Sequence, residues 1–352
     1  MSTLKAIFRI QKKGTKEDNY NFYTISKSNF SIQLLKNNNL QKNIINSSNK
    51  ISKDKTKKYL LDRSPLAFRH LNPCIFFINL SEHYSAIGKD QYGKDQYIYQ
   101  KKFEEIQRKK KYCELTSFIQ QQSILNKKTY SFLKNKKEHE KIYGLMYQIM
   151  NQCKFRIGSQ NHSYASSLKK QTFGIRTIQK KHVSFSNQSV KISFPGKKGV
   201  LNVCSIQNPK LIKDLKDLSN KKKKDESIFT EKNKKNPISY EQWRDFLKQN
   251  NVSESKMIRT YYANYLFLKQ WIEQIKKNQS FDKKILKENI EKIANELHHT
   301  PSILKKSYLS KELYLFSQSK EIGKNWLKKQ LDKNKNIENI MVSFFKPYCS
   351  WI

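Results

Sequence analysis

Acidic residues are scarce in this chain of 352 residues: 29 Asp and Glu stand against 70 Lys and Arg, a formal net charge of +41 at pH 7. A compact fold with that imbalance repels itself, so a polyanion is its natural partner. Part of the excess has the texture of an AT-rich genome, as in the runs at 37–39 (Asn) and 221–224 (Lys). Charge alone says nothing about a reaction. Long apolar runs are also missing; none approaches the ~18 residues of a membrane-spanning helix. Cysteines number five, at 74, 113, 153, 204 and 349, with no Cys-x-x-Cys pair and no even framework. That pattern favours a reducing compartment over secretion. There is no internal repeat. The first 16 residues hold no acid, a trait of mitochondrial presequences, while Lys12 and Lys13 interrupt the N-terminal apolar patch too early for a signal peptide.

What is present is enough for a core. Hydrophobic residues make up 37%, and 19 Tyr with 20 Phe supply large surfaces to bury. Residues 1–60 mix Lys, Asn and Ser without clear periodicity and read as a largely flexible basic arm. From Pro73 the run CIFFINL reads as a buried strand, and YSAIGKDQYGKDQYIYQ as a strand pair around a tight turn at Gly93. The stretch 101–150 is helix-like, most clearly at HEKIYGLMYQIMNQ. Strands return at FGIRTI, HVSFS and VKISF. Residues 219–238 read as a charged linker or surface loop, and helical segments then continue past Tyr308. The expected fold class is α+β: a small, mainly β domain at 61–118, a helix-rich domain with a β-hairpin at 119–320, and a C-terminal extension at 321–352.

The chemistry is concentrated late in the chain. His299 stands nine positions before Tyr308 and forty after the isolated Arg259, with Arg156 and Lys197 upstream. A phenol has a pKa near ~10, so a tyrosine that attacks phosphate needs positive neighbours. The transition state gathers negative charge on nonbridging oxygens, which preorganised donors stabilise. Arginine suits that task, since its planar fork holds two oxygens and stays charged. A leaving 5′ oxygen needs a proton, which a lysine can give. One tyrosine, two arginines, a histidine and a lysine therefore suffice to cut and rejoin DNA without metal or nucleotide.

Five segments carry a family resemblance: FRIGSQ (155–160), FGIRTIQKKHV (173–183), SFPGKKG (193–199), SESKMIRTYYANYLFL (253–268) and NELHHTPSILKKSYLS (295–310). In order and spacing they resemble the motifs of the type IB DNA topoisomerases, in particular the small poxvirus, giant-virus and bacterial group. AIGKDQYGKDQYIYQKKFEEI (86–106) is similar to the DNA-facing strand pair of that group. The resemblance covers roughly residues 70–315. It implies that Tyr308 forms a 3′-phosphotyrosyl link, that Arg156 and Arg259 grip the scissile phosphate, that His299 donates to a nonbridging oxygen and that Lys197 protonates the leaving oxygen. Lys89, Lys94, Gln96, Tyr97, Tyr99 and Lys256 would contact DNA, two lobes would form a C-shaped clamp on the duplex, and no cofactor is implied. A monomer acting on duplex DNA inside the cell, without a membrane partner, is expected. Ser159-Gln160 departs from the usual text after Arg-x-Gly, and His298 stands where a small residue is common, so spacing alone favours His299 over His298.

Other readings have their own marks. A tyrosine recombinase shares this chemistry but more often reads His-x-x-Arg where this chain has Lys256-x-x-Arg259. A noncatalytic DNA-packaging protein would not need the five residues together. Gly88 to Asp95 nearly spells a phosphate-binding Walker loop, yet ends in Asp and runs into strand-like text. His298 and His299, adjacent and without further ligands at suitable spacing, make a poor metal pair. The stripe Tyr261, Tyr265, Leu268, Trp271 is core packing.

Overall fold

The computed structural model describes residues 101–135, 137–158, 170–230, 236–277, 282–333 and 335–351, with strands at 8–12, 22–24, 30–34, 74–76, 84–89, 95–99 and 164–165. The chain divides into two compact units, 1–108 and 109–352.

In the first unit, β1 (Phe8–Lys12), β2 (Phe22–Thr24) and β3 (Phe30–Leu34) form an antiparallel sheet in the order β1-β3-β2. These strands fall inside the stretch whose composition reads as a basic arm. A second antiparallel sheet holds β4 (Cys74–Phe76), β5 (Tyr84–Lys89) and β6 (Asp95–Tyr99), with β5 central. Ile87 pairs with Ile75 on one side and Tyr97 on the other. Because side chains alternate across a strand, Tyr97 and Tyr99 share one face, and both are exposed.

The second unit is mainly helical. Helix α1 (Lys101–Phe132) buries Tyr112, Leu115, Phe118, Ile119 and Leu125, a stripe at helical spacing. Helix α2 (Glu138–Cys153) is buried along most of its length and ends at Lys154, whose backbone turns left-handed at φ 56°. Between them, Gln148 donates to the Thr129 hydroxyl and the Asn126 carbonyl. After a short pair, β7 (Tyr164–Ala165) and β8 (Lys170–Gln171), comes the antiparallel sheet of β9 (Val183–Phe185), β10 (Val190–Pro195) and β11 (Leu201–Ile206). Val190, Ile192 and Phe194 point into the core while Lys191 faces out, the period of two that one buried face demands. Pro195 pairs with Leu201, and a 3-10 turn at Lys197–Gly199 closes the hairpin.

Helix α3 (Pro209–Asn220) starts at Asn208, whose side chain accepts from the Lys210 and Leu211 amides. Its buried Asp214 is held by Lys141 of α2 at 2.9 Å and Lys210 at 3.0 Å. The charged segment that follows is a loop anchored at its centre: Ile228 and Phe229 are fully buried, and the Ile228 amide bonds to the Ile178 carbonyl. Helices α4 (Tyr240–Gln249), α5 (Lys256–Lys276), α6 (Lys283–Glu296), α7 (Pro301–Ser307), α8 (Lys311–Ser317), α9 (Lys320–Asp332) and α10 (Ile337–Phe345) complete the unit. Helix α5 is its spine; α10 packs on it, with Glu338 accepting from the Tyr261 hydroxyl at 3.1 Å. Helices together with small antiparallel sheets make this fold α+β.

Two cysteine pairs are joined among the described residues. Cys113 of α1 is bonded to Cys349, and Cys153, closing α2, to Cys204 of β11. The partners stand 236 and 51 residues apart, so local spacing carried no sign of them.

Candidate active site around Tyr308

The segment after α2 is shaped by two glycines. Gly158 has φ +81°, and a β-carbon on it would sit 2.8 Å from the Gly174 backbone; one on Gly174 would meet the Gly158 backbone at 2.4 Å. Only glycine at both places allows that approach. The Ile175 amide then bonds to the Arg156 carbonyl at 2.8 Å, and the Arg176 amide to the Ile157 carbonyl at 2.9 Å. The Arg176 guanidinium, buried, donates to the carbonyls of Ile238 and Gly158. The loop bearing Arg156 is thus fixed from below by residues about twenty positions downstream.

Arg259, on the first turns of α5, is 2% exposed. Its terminal nitrogens donate to two carbonyls, that of Lys154 just after α2 and that of Leu297 just after α6, the second at 2.5 Å. Burial lowers its pKa to about 10; the Tyr308 oxygen acts in the opposite sense and Arg156 in the same one. Its guanidinium carbon lies 5.1 Å from the centre of the Tyr308 ring. Its Nε has no hydrogen-bond partner among the described residues.

Tyr308 ends α7, a single short helix capped by Thr300 and opened by Pro301. Because His299 and Tyr308 flank this helix, their rings meet: they stack with centroids 4.8 Å apart and planes within 8°. His299 is buried, which lowers its pKa to about 3, an effect reinforced by the charges of Arg259 and Arg156. It is therefore neutral near pH 7. A weak contact with the Thr300 backbone raises its pKa slightly, yet neither ring nitrogen completes a hydrogen bond among the described residues.

For the Tyr308 phenol, burial pushes the pKa up, but the charges of Arg259 and Arg156 and their hydrogen bonds to its oxygen outweigh this, and the pKa falls below the ordinary tyrosine value. Tyr147, Tyr261, Tyr262 and Tyr265 go the other way, each raised chiefly by burial. The difference is the presence of two guanidiniums.

The fold therefore brings together Arg156, Arg259, His299 and Tyr308. Lys256, exposed on α5, places its Nζ 5.9 Å from the Tyr308 ring centre. Lys197 stands exposed at the hairpin tip, and among the described residues no hydrogen bond, ion pair or ring contact joins it to the other four. In the first unit, Tyr97 and Tyr99 present exposed rings on β6. Gln96 is paired with Gly88 and Lys89 with Asp95 in the backbone ladder, but their side chains, and Lys94 entirely, lie outside the described residues. Among the described residues no group of three or more His, Cys, Asp or Glu is placed to hold a metal ion.

Residues 100–336 match the family model described as the catalytic core of eukaryotic DNA topoisomerase I. The chain belongs to the type IB DNA topoisomerases. It is 28% identical over 242 residues to the DNA topoisomerase 1B of Acanthamoeba polyphaga mimivirus, an alignment covering 64% of this chain and 69% of that protein. It is 26% identical over 229 residues to the DNA topoisomerase 1 of Rabbit fibroma virus, and 25% identical over 229 residues to the DNA topoisomerase 1B of Vaccinia virus, with the same coverage. The enzyme is thus of the viral type, with DNA as its substrate.

Two residues with evident roles at this site escaped sequence reasoning. Asn264, fully buried on α5, donates to the Thr260 and Tyr308 carbonyls and accepts from the Ser310 amide, so one side chain fixes the backbone on both sides of Leu309. Asn264 lay inside the segment SESKMIRTYYANYLFL, as a polar residue among apolar ones, without any sign there that it faces inward. Arg176 lay inside the quoted motif FGIRTI, but nothing in the text shows that it faces inward.

Proposed function

We propose that the enzyme relaxes supercoiled DNA by cutting one strand through Tyr308 and rejoining it. The Tyr308 phenol gives up its proton to solvent, its oxygen attacks the scissile phosphorus, the bond to the 5′ oxygen breaks, and Lys197 gives that leaving oxygen a proton. A 3′-phosphotyrosyl bond holds the cut end while the free 5′ end swivels about the intact strand. The 5′ hydroxyl then attacks the phosphotyrosine, restoring the DNA and releasing Tyr308. Bond energy is stored in the ester, so the cycle needs neither ATP nor metal.

The observation that carries this reading is the gathering of charge on Tyr308: His299 stacks on its ring at 4.8 Å, the Arg259 guanidinium lies 5.1 Å from it, and the charges of Arg259 and Arg156 favour its phenolate. The unpartnered buried nitrogens support the same site. Arg259 Nε and His299 are donors without acceptors among the described residues, and a buried unmade hydrogen bond costs about 1–3 kcal/mol. Nonbridging phosphate oxygens would satisfy them and take up the charge that develops in the transition state. His299, neutral, donates from one nitrogen; His298 is already engaged elsewhere.

Around this centre, residues 61–118 form the DNA-binding lobe opposite the catalytic region 119–320, the two closing as a C-shaped clamp. Lys89, Lys94, Gln96, Tyr97 and Tyr99 face the duplex from that lobe, and Lys256 from the catalytic side. The arm 1–60 adds charge, and 321–352 extends the core. The working unit is a monomer on intracellular DNA.

A duplex that loses its downstream strand after cleavage should trap the protein as a covalent 3′ adduct in EDTA. Peptide mapping should place the DNA on Tyr308, and Tyr308→Phe should bind the duplex yet give no adduct. An adduct that survives Tyr308→Phe moves the nucleophile elsewhere and ends this assignment.

A further inference from the structure

Arg259 reaches its place by bridging two strands of chain that are remote in sequence, the exit of α2 at Lys154 and the exit of α6 at Leu297. A second bond crosses between the same two segments one residue over on each. His298 Nε2 lies 3.0 Å from the Cys153 carbonyl. A carbonyl only accepts, so Nε2 carries the proton and donates. The His298 ring also packs 5.1 Å from Phe155, the neighbour of Arg156, and Phe155 in turn sits edge-on to Phe194 at 4.8 Å.

The backbone at His298 makes this bond notable. Its φ is 54°, the left-handed region that a residue with a β-carbon enters at a cost of roughly 1–2 kcal/mol. Glycine would take the same turn without strain, while leaving Cys153 O without this partner. The side chain thus compensates locally for the turn it occupies, and it does so at the joint that sets the separation of the two carbonyls gripping Arg259. His299, which stacks on Tyr308, is the next residue, its own amide tied back to Ala294.

We infer that His298 is a positioning residue for strand cleavage: its bond to the Cys153 carbonyl holds the exits of α2 and α6 in register, so that Arg259 can turn toward a phosphate without loosening the frame that carries Arg156 and His299. The inference rests on the proposed role of Tyr308 and its cations. Arg259 in the free enzyme spends two donors on those carbonyls. Once a phosphodiester competes for the guanidinium, two links between the segments do not compete: the Lys154–Glu296 ion pair at 2.9 Å, part-exposed on the outside, and the His298 bond, which stands next to His299.

His298→Gly keeps the turn relaxed and removes the bond; His298→Asn tolerates the same φ but its amide is too short to reach Cys153 O. His298→Gln restores a donor at similar reach. With an adduct on Tyr308 first mapped in the unaltered enzyme, single-turnover adduct formation should slow roughly ten- to a hundredfold in the Gly and Asn variants. Affinity for the same duplex, measured in a Tyr308→Phe background, should stay within about twofold, and the Gln variant should recover part of the rate. Because the effect passes through Arg259, adding His298→Gly or His298→Asn to Arg259→Lys should slow cleavage little further. Unchanged cleavage in both variants, or equal slowing with and without Arg259→Lys, overturns the inference. If the Gly variant does not fold, the Asn variant decides. Absence of any Tyr308 adduct in the unaltered enzyme would instead bring down the underlying site assignment, a result visible before any His298 variant is made.

Discussion

One side chain of α5, Asn264, holds the backbone of Tyr308 from beneath: it donates to the Tyr308 carbonyl at 3.0 Å and accepts from the Ser310 amide at 2.9 Å, with no exposure to solvent. Five residues earlier on the same helix stands Arg259. Arg259 stands on this helix and Tyr308 is tied to it through Asn264, so one rigid element positions both nucleophile and principal cation. Asn264→Ala would leave buried backbone groups at Tyr308 and Ser310 unpaired, each costing about 1–3 kcal/mol. We expect a clear fall in melting temperature together with slower adduct formation; a variant with normal melting and normal cleavage would show that the nucleophile is held by other contacts.

The phenol of Tyr308 is made more acidic by Arg259 and Arg156. Removing one of those charges must raise its pKa. The single-turnover cleavage rate should therefore climb with pH and level off below the ordinary tyrosine value of ~10, and in Arg156→Ala the rise should shift toward higher pH. A shift to lower pH, or none, would detach the titration from Tyr308.

Stability should depend on pH through two buried histidines. His182 is pushed down to about 4, mainly by burial, and its Nδ1 accepts from the Gln179 amide at 3.0 Å. His299 is pushed down to about 3. Their unfolded forms take up protons near 6.5, so the unfolded state binds more protons as pH falls below that value. Stability is full above about pH 6.5 and declines toward pH 4, by up to about 3 kcal/mol for His182. Denaturation midpoints followed from pH 7 to 4 should show this loss. His182→Asn, which keeps an acceptor without the titrating ring, should flatten part of it while leaving the His299 share.

Of the five cysteines, four are paired. The unreduced, denatured chain should titrate no more than one thiol, and five after reduction; the Cys74 side chain lies outside the described residues. Breaking Cys153–Cys204 by Cys204→Ser should cost on the order of 4 kcal/mol, from the loop it closes. A chain that titrates five thiols without reductant and melts identically to Cys204→Ser would contradict this pairing.

Much of the site was legible because its spacing is local. The spacing of nine residues pointed to His299 and Tyr308 as one site, and the short helix Pro301–Ser307 that they bracket brings their rings into contact. VKISF reads as a strand and is one, and its alternating residues divide between core and surface, since a strand's side chains alternate whatever it packs against. The near-Walker text at 88–95 falls across β5 and β6, a strand pair rather than a strand leading into a helix. The charged loop after α3 hid its anchors, because Ile228 and Phe229 are a pair of apolar residues with no period to betray them.

By itself, the sequence determined the polyanionic character of the partner, the residue types required for phosphate attack, and much of the local helix and strand pattern after residue 70, because charge and local geometry need no fold to be counted. The tertiary structure alone decided that Arg156 and Arg259 converge on Tyr308, that its pKa falls while those of its buried neighbours rise, that Asn264 and His298 brace the site, and which cysteines join. Each of these depends on distances between segments far apart in the chain, and electrostatic and hydrogen-bond energies are set by those distances and by burial rather than by order in sequence.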